Sequence, residues 1–283
     1  MAIIVQKYGG TSVETIEKIN NIAERIVKRK SEGNDMVIVV SAMGKTTDHL
    51  INMAHEISPD PDKRELDVLM STGEQVSMSL LSIALNHLGA DAVSFTGQQV
   101  GIRTNGSHTK SKISDINEEK IREEHSKGKI VIVAGFQGVN EYNEITTLGR
   151  GGSDTTAVAL AAKLGAQCEI YTDVDGVYTI DPRLYPRARK LDCISYEEML
   201  EMASSGASVM HSRSIELAEK YKVPVLVALS RGDIPGTIIK EMDNTMENTA
   251  ITGLAVNNDE AIITLNGVPH DIKVIAEIFQ SIA

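Results

Sequence analysis

Short apolar runs rich in β-branched residues alternate along this chain with segments of helical period, and that alternation leaves few architectures open. Residues 3–7, 36–41, 92–95, 129–134, 169–172 and 224–229 read as strands. They are too apolar for half-exposed strands, so both faces of each must be covered. Between the first two, Ile16, Ile19, Ala23 and Ile26 recur at helical spacing, and a second long helix is expected over 63–87. Strands interleaved with helices imply an α/β chain on a mostly parallel sheet with helices on both faces. The segment 140–147, with Tyr142-Asn143-Glu144, reads instead as a hairpin turn on the sheet's edge.

With 283 residues, 42% of them hydrophobic, the chain can bury one large core and a small appended unit. Residues 1–240 read as the main domain and the polar stretch 241–250 as a linker. Over 251–283 a strand (251–256), a turn (257–260), a second strand (261–265) and a helix (272–282) are expected. Such a β-β-α piece is too short to close a core unaided, so it is expected to be part of a larger module and to self-associate or stay mobile. A formal net charge of −11 disfavours nucleic acid and anionic membrane surfaces as partners. No apolar run approaches the ~20 residues that span a bilayer. Cys168 and Cys193 form neither a CxxC pair nor a disulfide framework, and the first residues lack a secretory-signal pattern. A cytoplasmic protein is expected.

Two glycine loops carry the chemistry. The first strand ends in Lys7-Tyr8-Gly9-Gly10-Thr11-Ser12 with a helix expected directly after it, which would aim backbone N–H groups and a positive dipole end at one point. Glycine lets a phosphate approach the backbone closely, and Lys7 adds a full charge. Taken alone, this loop reads first as a tight turn with an ordinary cap. The second loop, Thr147-Leu148-Gly149-Arg150-Gly151-Gly152-Ser153-Asp154-Thr155-Thr156, precedes an alanine-rich helix. Arg150 there can hold a carboxylate or phosphate by two parallel hydrogen bonds, while Asp154 has the simpler reading of a first-turn charge. Two such loops in one α/β chain favour anion binding.

Other templates fail. Gly44-Lys45-Thr46-Thr47 is not a P-loop, because Val39 stands where that motif needs its first glycine. Asp154 replaces the last glycine of a dinucleotide fingerprint in the second loop. Asp173-Val174-Asp175-Gly176 lacks the first and twelfth ligands of a calcium loop, with Tyr171 and Pro182 in those places. His49, His55, His87, His108, His125, His211 and His270 show no metal-ligand spacing, so no protein metal site is expected.

Five segments together closely resemble the aspartate kinases of the amino-acid-kinase superfamily. They are the first glycine loop, Val40-Ser41-Ala42-Met43-Gly44-Lys45-Thr46-Thr47, Ser71-Thr72-Gly73-Glu74, Gly149-Arg150-Gly151-Gly152-Ser153-Asp154, and the run from Thr172-Asp173 through Tyr178 to Asp181-Pro182-Arg183. The resemblance implies a three-layer αβα sandwich followed by the start of an ACT-type regulatory domain. It also implies transfer of the γ-phosphoryl of ATP to the side-chain carboxylate of L-aspartate, opening the route to lysine, threonine and methionine. Under it Lys7, Gly9 and Gly10 act on the phosphates, Asp154 orients Lys7, and Mg²⁺ is held mainly by the phosphates. Arg150 clamps the α-carboxylate, Glu74 accepts the α-ammonium, and Thr47 and Ser153 supply hydroxyl contacts. Without the resemblance, Glu74 reads equally as a solvated helix residue. Ser12, Thr172, Asp173 and Tyr178 match nucleotide-site positions and Arg183 a phosphate contact. Gly206-Ala207-Ser208 departs from relatives that carry lysine in the third place, which leaves phosphate-side charge to Lys7 and Arg183. Gly267-Val268-Pro269-His270-Asp271 lacks the Pro-Gly often found in ACT domains. A homo-oligomer is expected.

Two further readings remain open on the residues. One is a sister kinase acting on another carboxylate, a carbamate or a nucleoside monophosphate; Arg150 with Glu74 favours a free α-amino acid. The other is a noncatalytic amino-acid or nucleotide sensor, against which Lys7 with Asp154 speaks, because binding alone has less use for a lysine aimed at the transferring phosphate.

Overall fold

In β1 (Ile3–Tyr8) alternate side chains serve opposite layers: Val5 enters one core, and Ile4 and Tyr8 enter the other. That two-sided burial sets the architecture. The computed structural model describes residues 2–207, 209–242, 252–256, 272–274 and 276. After β1 come a 3-10 turn (Gly10–Ser12), α1 (Ile16–Ser31), β2 (Asp35–Val40), α2 (Thr46–Ile57), α3 (Lys63–His87) and β3 (Ala92–Phe95). Next are β4 (Ile102–Asn105), β5 (Lys112–Ile116), α4 (Glu119–Ser126), β6 (Ile130–Ala134), β7 (Gln137–Val139) and β8 (Ile145–Thr147). The rest comprises α5 (Gly152–Leu164), β9 (Gln167–Thr172), β10 (Cys193–Ile194), α6 (Tyr196–Ser204), α7 (Ser212–Tyr221), β11 (Val225–Leu229) and β12 (Thr237–Ile239).

The main sheet has eight strands in the order β10-β12-β11-β9-β1-β2-β6-β3, and every pairing except β11 with β12 is parallel. Ile19, Ile22 and Ala23 of α1 and Leu81 and Leu85 of α3 join one core; Ile121 of α4, the alanines of α5, Met199 of α6 and Ile215 of α7 join the other. The result is a three-layer αβα sandwich. Alanines let α5 lie close to the sheet on all sides, which is why ten of its residues are buried. From β1 the chain winds toward β2, and after β6 it returns through α5 to β9 on the opposite flank of β1. The topology therefore reverses between β1 and β9, and the crevice outside the carboxyl ends of these strands is where an open α/β sheet takes ligands.

Two expectations change. The hairpin at 140–147 forms, but it belongs to a second, four-stranded sheet, β5-β4-β7-β8, not to the edge of the main one. Asn140 closes its turn by accepting from the Tyr142 and Glu144 amides. The second change concerns α3, which alone among the described helices has the length and apolarity to cross a bilayer. Small polar residues (Ser71, Ser77, Ser79, Ser82) break its apolar run, and it packs as a core helix against α1 and the sheet, with half of that stretch buried.

In the tail, 272–274 and 276 are helical, whereas 252–256 is in no strand. The Leu254 amide instead donates to the Thr179 carbonyl at 2.7 Å. Residues 243–250 of the expected linker 241–250, the turn at 257–260, the strand at 261–265, residues 267–271, the remainder of the expected helix 272–282 and Ser208 lie outside the described residues.

Candidate active site

Odd-numbered positions of β1 face α5, so Lys7 points toward that helix's first turn, and its ammonium pairs with Asp154 Oδ1 at 2.6 Å, both side chains nearly buried. α5 begins there because Gly151 caps it in the left-handed region (φ 72°), which turns the chain from β8 into the helix. A Cβ on Gly9 would lie 3.4 Å from Lys7 Nζ, so the first glycine loop passes directly beneath the ammonium.

The local geometry of that loop differs from expectation. No α-helix follows directly: the chain makes a 3-10 turn, and α1 starts at Ile16, capped by the Thr15 hydroxyl accepting from the Lys18 amide. Thr11 and Ser12 therefore do not cap α1. The Gly9 amide donates to the Tyr171 carbonyl at 3.2 Å, extending the β1–β9 pairing, and is not available to a phosphate. The Gly10 and Thr11 amides have no acceptor among the described residues, and the Ser12 hydroxyl is buried without a partner there. Gly10 is required by close approach, since a Cβ would sit 2.8 Å from the Ala42 carbonyl oxygen.

Ala42 connects this loop to Glu74, whose Oε1 accepts from the Ala42 amide at 3.1 Å. Glu74 is 2% exposed, so the solvated-helix alternative is excluded. Its Oε2 is buried with no partner among the described residues, and burial pushes its carboxyl up to about 8. A buried carboxylate with an unused oxygen is placed to receive a cation. Thr47 is half-buried in the first turn of α2, and Ser153 packs against Gly135 at the end of β6. Arg150 is exposed and makes no hydrogen bond or ion pair with the described residues.

Beyond β9, Thr172, Asp173, Tyr178 and Arg183 all line a cleft of about 560 Å³ that Gly206, Ala207, Leu229 and Leu254 also help wall. Tyr178 donates its hydroxyl to Asp175 at 3.0 Å. Arg183, 84% exposed, is held by Asp181, which keeps the guanidinium pKa up and the carboxyl pKa down. The sequence reading missed the supports of the second loop. His211 of the α7 N-cap packs against Gly151, the Phe136 ring against Gly152, and Arg213 binds the Leu148 and Ser111 carbonyls at 2.7 and 2.8 Å. Nothing in their spacing announces these contacts, because all join segments far apart in the chain.

A parallel α/β sandwich with two glycine loops and a buried Lys–Asp pair at its switch point defines a protein of the phosphate-binding α/β class. Residues 2–228 match the amino acid kinase family. The chain is 55% identical over 271 residues to an aspartate kinase of Pseudomonas putida, covering 95% of this chain and 66% of the relative. It is 52% identical over 284 residues to aspartokinase 2 of Bacillus subtilis, covering all of this chain and 70% of the relative. A crystal structure of E. coli aspartokinase III in complex with aspartate and ADP superposes with a TM-score of 0.76 at 28% identity, over 86% of this chain and 65% of that one. The chain belongs to the amino acid kinase family, among its aspartokinases. It spans about two thirds of the length of these relatives.

Proposed function

We propose that the chain is the catalytic portion of an aspartate kinase, which transfers the γ-phosphoryl of ATP to the side-chain carboxylate of L-aspartate and so feeds lysine, threonine and methionine synthesis in the cytoplasm. One juxtaposition carries the reading: the Lys7 ammonium, tied to Asp154, lies over the Gly9–Gly10 loop, with the unpartnered Glu74 carboxylate joined to the same loop through Ala42. The 28%-identical E. coli enzyme that holds aspartate and ADP supports the same pair of ligands.

An aspartate side chain, with pKa about 3.9, is already ionised near neutrality, so its oxygen can attack the γ-phosphorus without a general base while ADP leaves. What the step needs is positive charge where two anions meet. Lys7 supplies it, and the free Gly10 and Thr11 amides and the Ser12 hydroxyl add donors in place of the occupied Gly9 amide. Arg150, without a partner among the described residues, takes the α-carboxylate; Glu74 takes the α-ammonium; Thr47 and Ser153 flank them. The cleft beyond β9 takes the nucleoside, with Thr172, Asp173 and Tyr178 along it and Arg183 turning from Asp181 to a phosphate. Mg²⁺ would be held mainly by the phosphates and would supply further positive charge there. The domain division is proposed as 1–240 catalytic, 241–250 linker and 251–283 the start of an ACT-type module. Assembly is proposed to be homo-oligomeric, a reading supported by the exposed apolar side chains Ile57, Val76 and Ile83 on α2 and α3, and light scattering tests it.

The decisive experiment incubates the chain with Mg-ATP, L-aspartate and hydroxylamine, which traps an acyl phosphate as a hydroxamate. Aspartyl hydroxamate formation is expected. Its absence, or hydroxamate only with another carboxylate, would replace this reading with the sensor or the sister kinase.

A further inference from the structure

We propose that Asp67, together with Thr147, is a positioning device of the head-group site: it locks the loop that presents Arg150 to the same helix that presents Glu74. The inference rests on the aspartate-kinase reading and adds to it residues outside the reacting groups.

Asp67 lies in α3 and is 0% exposed. Both of its oxygens accept from the Thr109 amide, at 3.1 and 3.0 Å, Oδ2 meets His108 Nδ1 at 2.8 Å, and Oδ1 accepts from the Thr147 hydroxyl. A carboxyl enclosed in this way is a poor source of stability, because apolar side chains packed in the same volume commonly do as well. Its use is in specifying one arrangement of the segments that bind it.

Those segments lead to Arg150 in a few residues. Thr147 ends β8, and its carbonyl accepts from Ser111 at 3.0 Å. Thr109 takes φ 67°, an uncommon conformation for a β-branched residue, and its carbonyl oxygen would lie 3.0 Å from a Cβ on Gly149. The turn around Thr109 is therefore the floor on which Gly149-Arg150 rests. On its other side Asp67 shares the buried face of α3 with Met70, Ser71, Glu74 and Met78. About two helical turns separate the Asp67 and Glu74 positions, and Glu74 is fixed to the Ala42 amide. One rigid helix thus sets where both ends of the amino-acid head group are held. Asp67 and Glu74 are the two carboxylic residues among the buried positions of α3, seven apart and so on one face.

Thr147→Val keeps the side-chain shape and removes one donor from Asp67, and Thr147→Ser keeps the donor. In the full chain, Thr147→Val is expected to raise KM for aspartate about tenfold, with KM for ATP and kcat within about twofold of wild type, and Thr147→Ser to restore the aspartate KM. Asp67→Asn should shift the aspartate KM in the same direction. If Asp67→Asn does not fold, the Thr147 pair decides. An unchanged aspartate KM in folded Thr147→Val, or aspartate and ATP KM rising together, would overturn the proposal and leave Asp67 a structural residue. A wild-type chain that forms no aspartyl hydroxamate overturns the underlying reading, and this inference with it.

Discussion

Lys7 and Glu74 are the residues whose surroundings say most about chemistry. Lys7 is buried, paired with Asp154 alone among the described residues, and set over a glycine loop. Its charge would be felt most as the phosphoryl group transfers, so Lys7→Ala is expected to lower kcat about a hundredfold or more with a smaller effect on KM for aspartate, in steady-state kinetics. For Glu74 the signature is pH. Burial raises its carboxyl to about 8, above its ordinary value of 4.5, so in the ligand-free protein it is mostly protonated at pH 7. An α-ammonium requires the ionised form. Affinity for aspartate is therefore expected to rise by up to about tenfold per pH unit between pH 6 and 7, flattening as the pH passes 8, with ATP affinity unaffected. The same shift makes the stability contribution of Glu74 full below pH 4.5 and progressively lost as pH rises through 8. Glu74→Gln should abolish the aspartate trend in calorimetry and make the ligand-free protein gain stability relative to wild type above pH 8. A pH-independent aspartate affinity in the wild type would remove Glu74 from the site. The type and rough place of these residues were legible in the glycine loops and in Ser71-Thr72-Gly73-Glu74. That Gly9 has no free amide was not, because it depends on Tyr171, a strand partner far along the chain.

At the scale of elements, the second glycine loop owes its shape to what packs behind it. Gly151 is left-handed, and a Cβ there would lie 2.3 Å from His211 Cβ, the root of a side chain that cannot swing away. Gly165 ends the same helix with a similar φ, 63°, and a Cβ added there would meet nothing within 4 Å among the described residues. Gly165→Ala should cost about 1 kcal/mol, the price of the backbone conformation alone. Gly151→Ala should cost about 2 kcal/mol or more and also raise KM for aspartate by displacing Arg150. Urea denaturation of the two variants separates the terms, and equal losses would show that His211 does not support the loop. The parallel strands and α3 were readable because full burial leaves continuous apolar runs and long helices repeat their period. The small sheet was not, since β4, β5, β7 and β8 are short, and only the turn at Asn140 carries a local signal.

For the molecule as a whole, the contact of most consequence is the one residues 252–256 make with the αβα sandwich. Composition separated 241–250 from what precedes it, and a strand was expected over 251–256; the described part, 252–256, instead lies along the cleft. The Thr252 hydroxyl donates to Glu198, Gly253 abuts Met202, and the Leu254 amide donates to the Thr179 carbonyl at 2.7 Å. Leu254, Ala255 and Val256 then line the same cleft as Thr172 and Asp173. This contact was illegible in the sequence because it joins a segment that reads as a strand to a loop more than seventy residues earlier. If that cleft takes the nucleoside, residues 254–256 touch the nucleotide and not the amino acid. Leu254→Pro deletes the donating N–H while keeping an apolar side chain. It is expected to raise KM for ATP about three- to tenfold and to leave KM for aspartate within about twofold, since the head-group site lies on the other side of β1. Initial rates with each substrate varied in turn give both constants. A rise in the aspartate KM alone would place the segment against the amino-acid side, and no change in either would show that the tail bears on neither ligand.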